Sequence, residues 1–380
     1  MRAGASAQPT MRARGWLAAL ALACTLVANA AGGSEHEAPS RVLNLYSWSE
    51  YFPEAVIRRF EAETGIKVNY SVFDSNDVAE TTLIAGRSGF DLVTVNASPH
   101  LGRQIPKGLW RPLDVSSIHN YANIDPKLLE MLRHVDPGNR YAIPYMWGTI
   151  GIIYNPDLVR AHMPNAPVDS LDMVFRPDVV SRLRGCGISI LSSWIDVLPL
   201  LSIYVGQRDL SIDPRALEQL AVAFARVRPA IRRITTSGYY DQLARGELCV
   251  SLGYSADAMV AVRHAAEQHT NIRIAFSAPR EAVPVYIDAY AIPASARHAD
   301  AALRFIDFTL RPEIGAALAH ATGFAVANAA AVRLLEPGLR DNPMVYPSED
   351  VRRRLFLDRG YSMEETRMLS RTWLRMKTGY

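Results

Sequence analysis

Beyond residue 40 the chain alternates short apolar runs with stretches of helical periodicity. Residues 42–45 form an apolar run that predicts a first strand. Pro53-Glu54 then opens a helix with proline in its first turn; Val56, Ile57 and Phe60 share one face, and Thr64-Gly65 closes it with a glycine cap. Residues 66–71 alternate as a strand, Ser75 caps a helix through Leu83 and Ile84 that stops at Gly86, and residues 90–95 read as a buried strand. This β-α-β-α-β order predicts a mostly parallel sheet with helices on its faces.

The pattern continues with a helix over 126–134, an extended run 141–145 and an apolar strand 149–154 interrupted by Gly151. Met146-Trp147-Gly148 between them is a candidate crossing between two lobes. A second sheet pattern begins at 186–191, with further strands at 248–252, 272–276 and 286–292. Helices are expected at 196–205, 214–227, 255–266, 301–310, 312–319, 350–357 and 363–377. With 380 residues the chain is too long for one typical domain, so two lobes are the default.

The first thirty residues stand apart. Met11-Arg12-Ala13-Arg14 gives a positive start, residues 16–27 are apolar, and Ala28-Asn29-Ala30 is a small-residue cleavage pattern. The run is too short for a stable membrane span, so the reading is an export signal at 1–30, with the mature chain beginning near Ala31. Cys24 raises a lipoprotein alternative, against which its preceding Ala21-Leu22-Ala23 counts. Of 41 basic residues, Arg2, Arg12 and Arg14 fall in this acid-free segment, and the remaining 38 match 38 acids. That balance argues against a nucleic-acid binder, and the basic tail over 352–377 reads as solvated helix surface. In an exported chain Cys186 and Cys249 suggest one disulfide, with two buried free thiols as the alternative.

No catalytic constellation emerges. Gly253-Tyr254-Ser255-Ala256-Asp257 has the outline of a nucleophile elbow but lacks its last glycine. His264 and His269 diverge on a helix and do not form a zinc pattern. Gly86-Arg87-Ser88-Gly89 lacks the spacing of a phosphate loop, and no thiolate metal site remains. No cofactor is expected. What stands out are aromatic-plus-carboxylate pairs near strand ends: Trp48 with Glu50, Tyr254 with Asp257, Tyr286 with Asp288. Taken singly, each aspartate could equally be a cap or turn residue. Together they suit a linear diamine, which needs partly desolvated carboxylates for its ammonium ends and aromatic faces along its methylenes.

At these residues the chain resembles the polyamine-binding periplasmic proteins of ABC importers, above all their putrescine-binding members. Tyr46-Ser47-Trp48-Ser49-Glu50-Tyr51, Glu63-Thr64-Gly65-Ile66-Lys67-Val68, Val72-Phe73-Asp74-Ser75-Asn76 and Ile143-Pro144-Tyr145-Met146-Trp147 carry the likeness, with Leu310-Arg311-Pro312 and Tyr346-Pro347 further on. The resemblance implies a two-lobed α/β periplasmic-binding-protein fold of type II, with ligand in the cleft and hinge crossings near 145–149, 286–288 and 322–326. It implies lobe 1 from 31–146 with 288–322 and lobe 2 from 147–287 with 323–380. Cys186 and Cys249 fall where the family has its disulfide.

The family's ligand residues carry over as Trp48, Ser49, Glu50, Asp257, Tyr286 and Asp288. Asn96, Asp196, Tyr254 and Phe324 depart from the family pattern: Asp196 is one methylene shorter than the family's glutamate and Tyr254 smaller than its tryptophan. A ligand longer or bulkier than putrescine is therefore expected. The implied function is periplasmic capture of a polyamine for an ABC permease in the inner membrane, by a monomer that is not an enzyme. An amine sensor signalling through a receptor is the alternative.

Overall fold

The computed structural model describes residues 41–49, 51–85 and 88–379. The expected export segment 1–30, Cys24 and Glu50 lie outside the described residues. The strands are β1 (Val42–Trp48), β2 (Lys67–Phe73), β3 (Leu92–Asn96), β4 (Ala142–Tyr154), β5 (Ile188–Ile190), β6 (Arg233–Ile234), β7 (Val250–Tyr254), β8 (Ala275–Ser277), β9 (Val283–Ala291), β10 (Ala325–Val326) and β11 (Leu355–Phe356). Hydrogen bonds link them in the order β2-β1-β3-β9-β4-β7-β5-β6, with β8 and β10 on β4 and β11 on β9.

The opening β-α-β-α-β segment forms for the reasons its pattern gives. Pro53 precedes the helix Glu54–Thr64, whose Val56 and Phe60 are buried, and Gly65 ends it in the left-handed region at φ 71°. Ser75 accepts the Val78 amide and starts the helix Asn76–Ile84. β1 then pairs parallel with both β2 and β3.

β4 differs from expectation. It is one continuous strand of 13 residues, not two runs separated by a crossing loop. Residues 142–149 pair with β9, and residues 150–154 with β7 and β8. Its glycines do not break the strand; they make room over it. A Cβ on Gly148 would collide with the Tyr286 ring, and one on Gly151 would lie 2.6 Å from both the Phe276 ring and the Ser277 carbonyl.

Two hydrophobic cores flank this shared strand. The first holds Leu43, Phe60, Val93, Trp147, Ile287 and Phe305; the second holds Ile150, Ile190, Leu201, Phe224, Leu252 and Trp373. The boundary expected at 323 moves. Ala325, Val326, Ala331, Leu339 and Val345 pack into the first core, because β10 pairs with β4 at Trp147 and Met146. The chain crosses to the second core later, between Val345 and Tyr361. The crossing expected near 286–288 lies nearer 283–284, since Ala282 belongs to the second core and Val285 to the first.

The helix expected over 350–357 is also replaced. Only Glu349–Arg352 is helical, and β11 follows because Leu355 and Phe356 pair with Val283 and Pro284 of β9. The last helix, Met363–Thr378, starts with a capping box between Ser362 and Glu365. It buries Leu369 and Trp373 in the second core, the leucine contributing about 2 kcal/mol. Cys186 and Cys249 form a disulfide with Cα atoms 5.4 Å apart. Closing that loop stabilises the lobe by about 4 kcal/mol in the chain-entropy picture.

Candidate ligand-binding site

The site has a rigid end at the tip of the first sheet. Antiparallel pairing sets Asp288 of β9 directly opposite Asn96 of β3. Asp288 is only 4% exposed. It accepts hydrogen bonds from the Tyr51 hydroxyl at 2.5 Å and from Asn96 Nδ2 at 3.3 Å. Burial pushes its pKa up to about 6, with these two donors and the Trp48 indole N–H opposing that rise. The Trp48 Nε1 is itself buried and has no well-formed hydrogen bond. The loop after β1 is held by Tyr145, whose hydroxyl donates to the Tyr51 carbonyl at 2.9 Å and whose ring stacks on Phe52 at 5.1 Å. Tyr70 completes the clamp by donating to the Trp48 carbonyl. Phe324 lies edge-on to Tyr51 at 5.8 Å.

The opposite end belongs to the second lobe. Asp196 sits in the first turn of the helix Trp194–Tyr204 and Asp257 in that of the helix Ser255–Glu267. Each accepts one tyrosine hydroxyl at 2.6 Å: Tyr254 donates to Asp196, and Tyr239 to Asp257. Burial raises both carboxyls to about 6, and their tyrosines partly offset it. Tyr239 also accepts the Tyr254 amide at 3.1 Å, which requires Gly253 beneath it. Ser255, the serine of the elbow-like motif, is a structural residue: its Oγ accepts the Thr149 amide at 3.2 Å.

Tyr286 joins the two ends. Its ring crosses that of Tyr254 at 5.5 Å and an 83° angle, over Gly148. Burial first, then the charges of Asp288 and Asp257, hold its hydroxyl well above the ordinary value. Tyr254 in turn feels Asp196, Asp257 and Tyr286. Asp288, Tyr286, Tyr254, Asp257 and Asp196 are thus one electrostatically connected set. Among the described residues, no basic side chain acts on Asp196, Asp257 or Asp288. Among the described residues, no three acids, histidines or cysteines converge to hold a metal. The arrangement is suited to an extended organic cation, with carboxylates spread along linked aromatic side chains.

A profile of bacterial extracellular solute-binding proteins matches residues 55–345. The chain belongs to that family. The solute-binding protein is 39% identical over 359 residues to the putrescine-binding periplasmic protein SpuD of Pseudomonas aeruginosa, covering 94% of this chain and 97% of that one. It is 38% identical over 366 residues to the putrescine-binding periplasmic protein PotF of Escherichia coli, covering 96% and 98%. Its fold matches the spermidine/putrescine ABC transporter substrate-binding protein PotD of Streptococcus pneumoniae with a TM-score of 0.77 and 26% identity, covering 89% and 99%.

Of the residues singled out from sequence, the solute-binding protein brings Trp48, Asn96, Asp196, Tyr254, Asp257, Tyr286, Asp288 and Phe324 into this network. Ser49 is exposed at the end of the β1 turn, and no hydrogen bond among the described residues ties it to the acids. Sequence reasoning missed Tyr51, Tyr239, Asp358 and Tyr361. Tyr361 donates to both Asp358 oxygens, at 2.8 and 3.0 Å, and burial raises that carboxyl to about 6, the Asp196 charge adding to the rise. The signal was present: Asp358 and Tyr361 repeat the three-residue spacing of Tyr254 and Asp257.

Proposed function

We propose that this chain captures a diamine or polyamine in the periplasm and delivers it to an ABC permease. The observation that carries the reading is the set of three aspartates, Asp288 buried and Asp196 and Asp257 partly so, that have no basic partner among the described residues and are linked through Tyr254 and Tyr286. Carboxylates held this way are costly until a cation arrives, so cation capture releases stored unfavourable energy. The names of SpuD, PotF and PotD support the same ligand class. The residues carried into the site, Trp48, Asn96, Asp196, Tyr254, Asp257, Tyr286, Asp288 and Phe324, are its ligand shell in this reading. The protein acts as a monomer, its first thirty residues serve as the export signal, and closure about the three crossings presents a new surface to the permease.

Thermal shift against a panel of amines, amino acids and anions tests the reading. A ligand that binds only the folded state raises the melting temperature by mass action. Amines are expected to raise it and neutral or anionic solutes to leave it unchanged. A shift with a non-amine solute and none with any amine would overturn the assignment.

A further inference from the structure

Ser255 is the serine of the elbow-like motif that the ligand shell leaves out, and it lies where the shared strand changes lobes. Up to Thr149, β4 pairs with β9; from Ile150 it pairs with β7. The cores change over the same residues, Trp147 packing in the first and Ile150 in the second. At this step the Thr149 amide donates to Ser255 Oγ at 3.2 Å, and both residues are buried. Ser255 is the first residue of the helix Ser255–Glu267, whose Ala258 and Ala261 belong to the second core. The bond therefore ties the start of a second-lobe helix to the strand that both lobes share.

A second tie comes from β9. Tyr286 stands directly opposite Gly148 in the β4–β9 ladder, and its ring lies across that glycine, where a Cβ would collide with it. Its neighbours along the strand, Val285 and Ile287, pack in the first core. Crossing β4 in this way brings the Tyr286 oxygen to the start of the helix, where the Ser255 hydroxyl and the Ala256 amide act on it as donors. The first amides of a helix have no partner within it. Tyr254, the residue before this one, caps none of them, and its hydroxyl goes to Asp196. Ser255 accepts from β4 and donates towards β9, so one hydroxyl serves both neighbours.

We infer that Ser255 is a positioning residue for ligand capture: it pins the start of the Asp257 helix to β4 at the change of lobes and to Tyr286 of β9, so that Asp257 and Tyr286 keep one spacing. The inference rests on the amine reading above. Asp257 lies two residues on, in the same first turn. Tyr239 fixes it within the second lobe, and Ser255 supplies the link to the first. A hinge confines its backbone change to a few residues, so a carboxylate on a helix fixed beside the hinge swings least. Asp257 and the Tyr286 ring meet the ligand as a preset pair, and capture has less to order.

The test is stopped-flow binding of putrescine and of spermidine at pH 7.5 to the native chain, Ser255→Ala, Tyr286→Phe and the double variant. Each single variant is expected to dissociate about fivefold faster, the worth of one neutral hydrogen bond, with association changed less than twofold. The double variant is expected to be no faster than the faster single one, because both remove the same contact. A serine that only supports the fold would lower the melting temperature and leave dissociation unchanged, and that result would overturn the inference. Losses that multiply in the double variant would overturn it as well. Tyr286→Phe removes a single oxygen, so it carries the test if Ser255→Ala does not fold. Hydrogen exchange at the Ala256 amide, read without ligand, is expected to quicken in Tyr286→Phe, and unchanged protection there would remove the tie itself. If neither amine binds the native chain, the amine reading fails and takes this inference with it, whatever the exchange at Ala256.

Discussion

The two ends of the site solve the same problem in opposite ways. Asp288 is one carboxylate surrounded by three neutral donors from two segments: Tyr51 and the Trp48 indole at the end of β1, and Asn96 at the end of β3. Asp196 and Asp257 at the other end are two carboxylates, each accepting a single tyrosine hydroxyl. The first end is fixed in shape and holds one charge, so it suits any primary ammonium. The second carries two charges with less scaffolding, so in the amine reading the identity of the ligand is decided there. In that reading, recognition and selectivity are separated between the lobes.

The largest test of this contrast removes the first charge. Asp288→Asn is expected to weaken diamine and triamine binding alike by about 2–5 kcal/mol, the cost of taking away one partner of a buried charge pair. Titration calorimetry with both amines measures it. A loss confined to one amine would place selectivity at the first end and reverse the comparison.

A smaller effect comes from pH. Asp196, Asp257, Asp288 and Asp358 all have pKa values near 6 in the unliganded protein, against an ordinary carboxyl near 4. The folded state therefore binds more protons than the unfolded chain between about pH 4 and 6. The stability these groups contribute is fully present below about pH 4 and is lost as pH rises through about 6. Amine binding has the opposite sign, because it needs the ionised acids. On going from pH 7.5 to 5.5, affinity is expected to fall about tenfold while these four groups make the unliganded protein more stable. Scanning calorimetry with and without amine reads both trends. An affinity that stays constant across that window would remove the acids from the site.

The legibility of the two ends in the sequence also differs, for a physical reason. The caps and periodicities that fix local elements are short-range, so Gly65, Ser75 and the helix Pro214–Val227 were readable directly. The first end is built from strand tips, where Trp48, Asn96 and Asp288 carry visible aromatic and polar signals. The second end depends on where the chain crosses between lobes. That is settled by β10 holding residues 325–345 in the first core and by two-residue pairing of β11 on β9, neither of which has a local pattern. The segment 350–357 therefore looked like one helix. β4 failed for a related reason: its glycines answer to the rings of Tyr286 and Phe276, which come from distant parts of the chain.

The finest test addresses why the first end needs its neutral donors at all. Tyr51→Phe keeps the ring contacts with Tyr145 and Phe324 and removes only the hydroxyl that reaches Asp288. That hydroxyl stabilises the ionised carboxylate, so its loss should raise the Asp288 pKa further. A hydrogen bond to a charged group contributes about 1.5 kcal/mol or more, part of which water entering the gap restores, so an affinity loss of about fivefold is expected at pH 7.5. The loss should grow as pH falls, because more of the variant is protonated at each pH, and it should be the same for diamine and triamine. Calorimetry at pH 7.5 and 6.0 with both ligands separates the possibilities. A pH-independent loss would mean that Tyr51 only shapes the cavity, and the first end would then owe its rigidity to packing rather than to its donors.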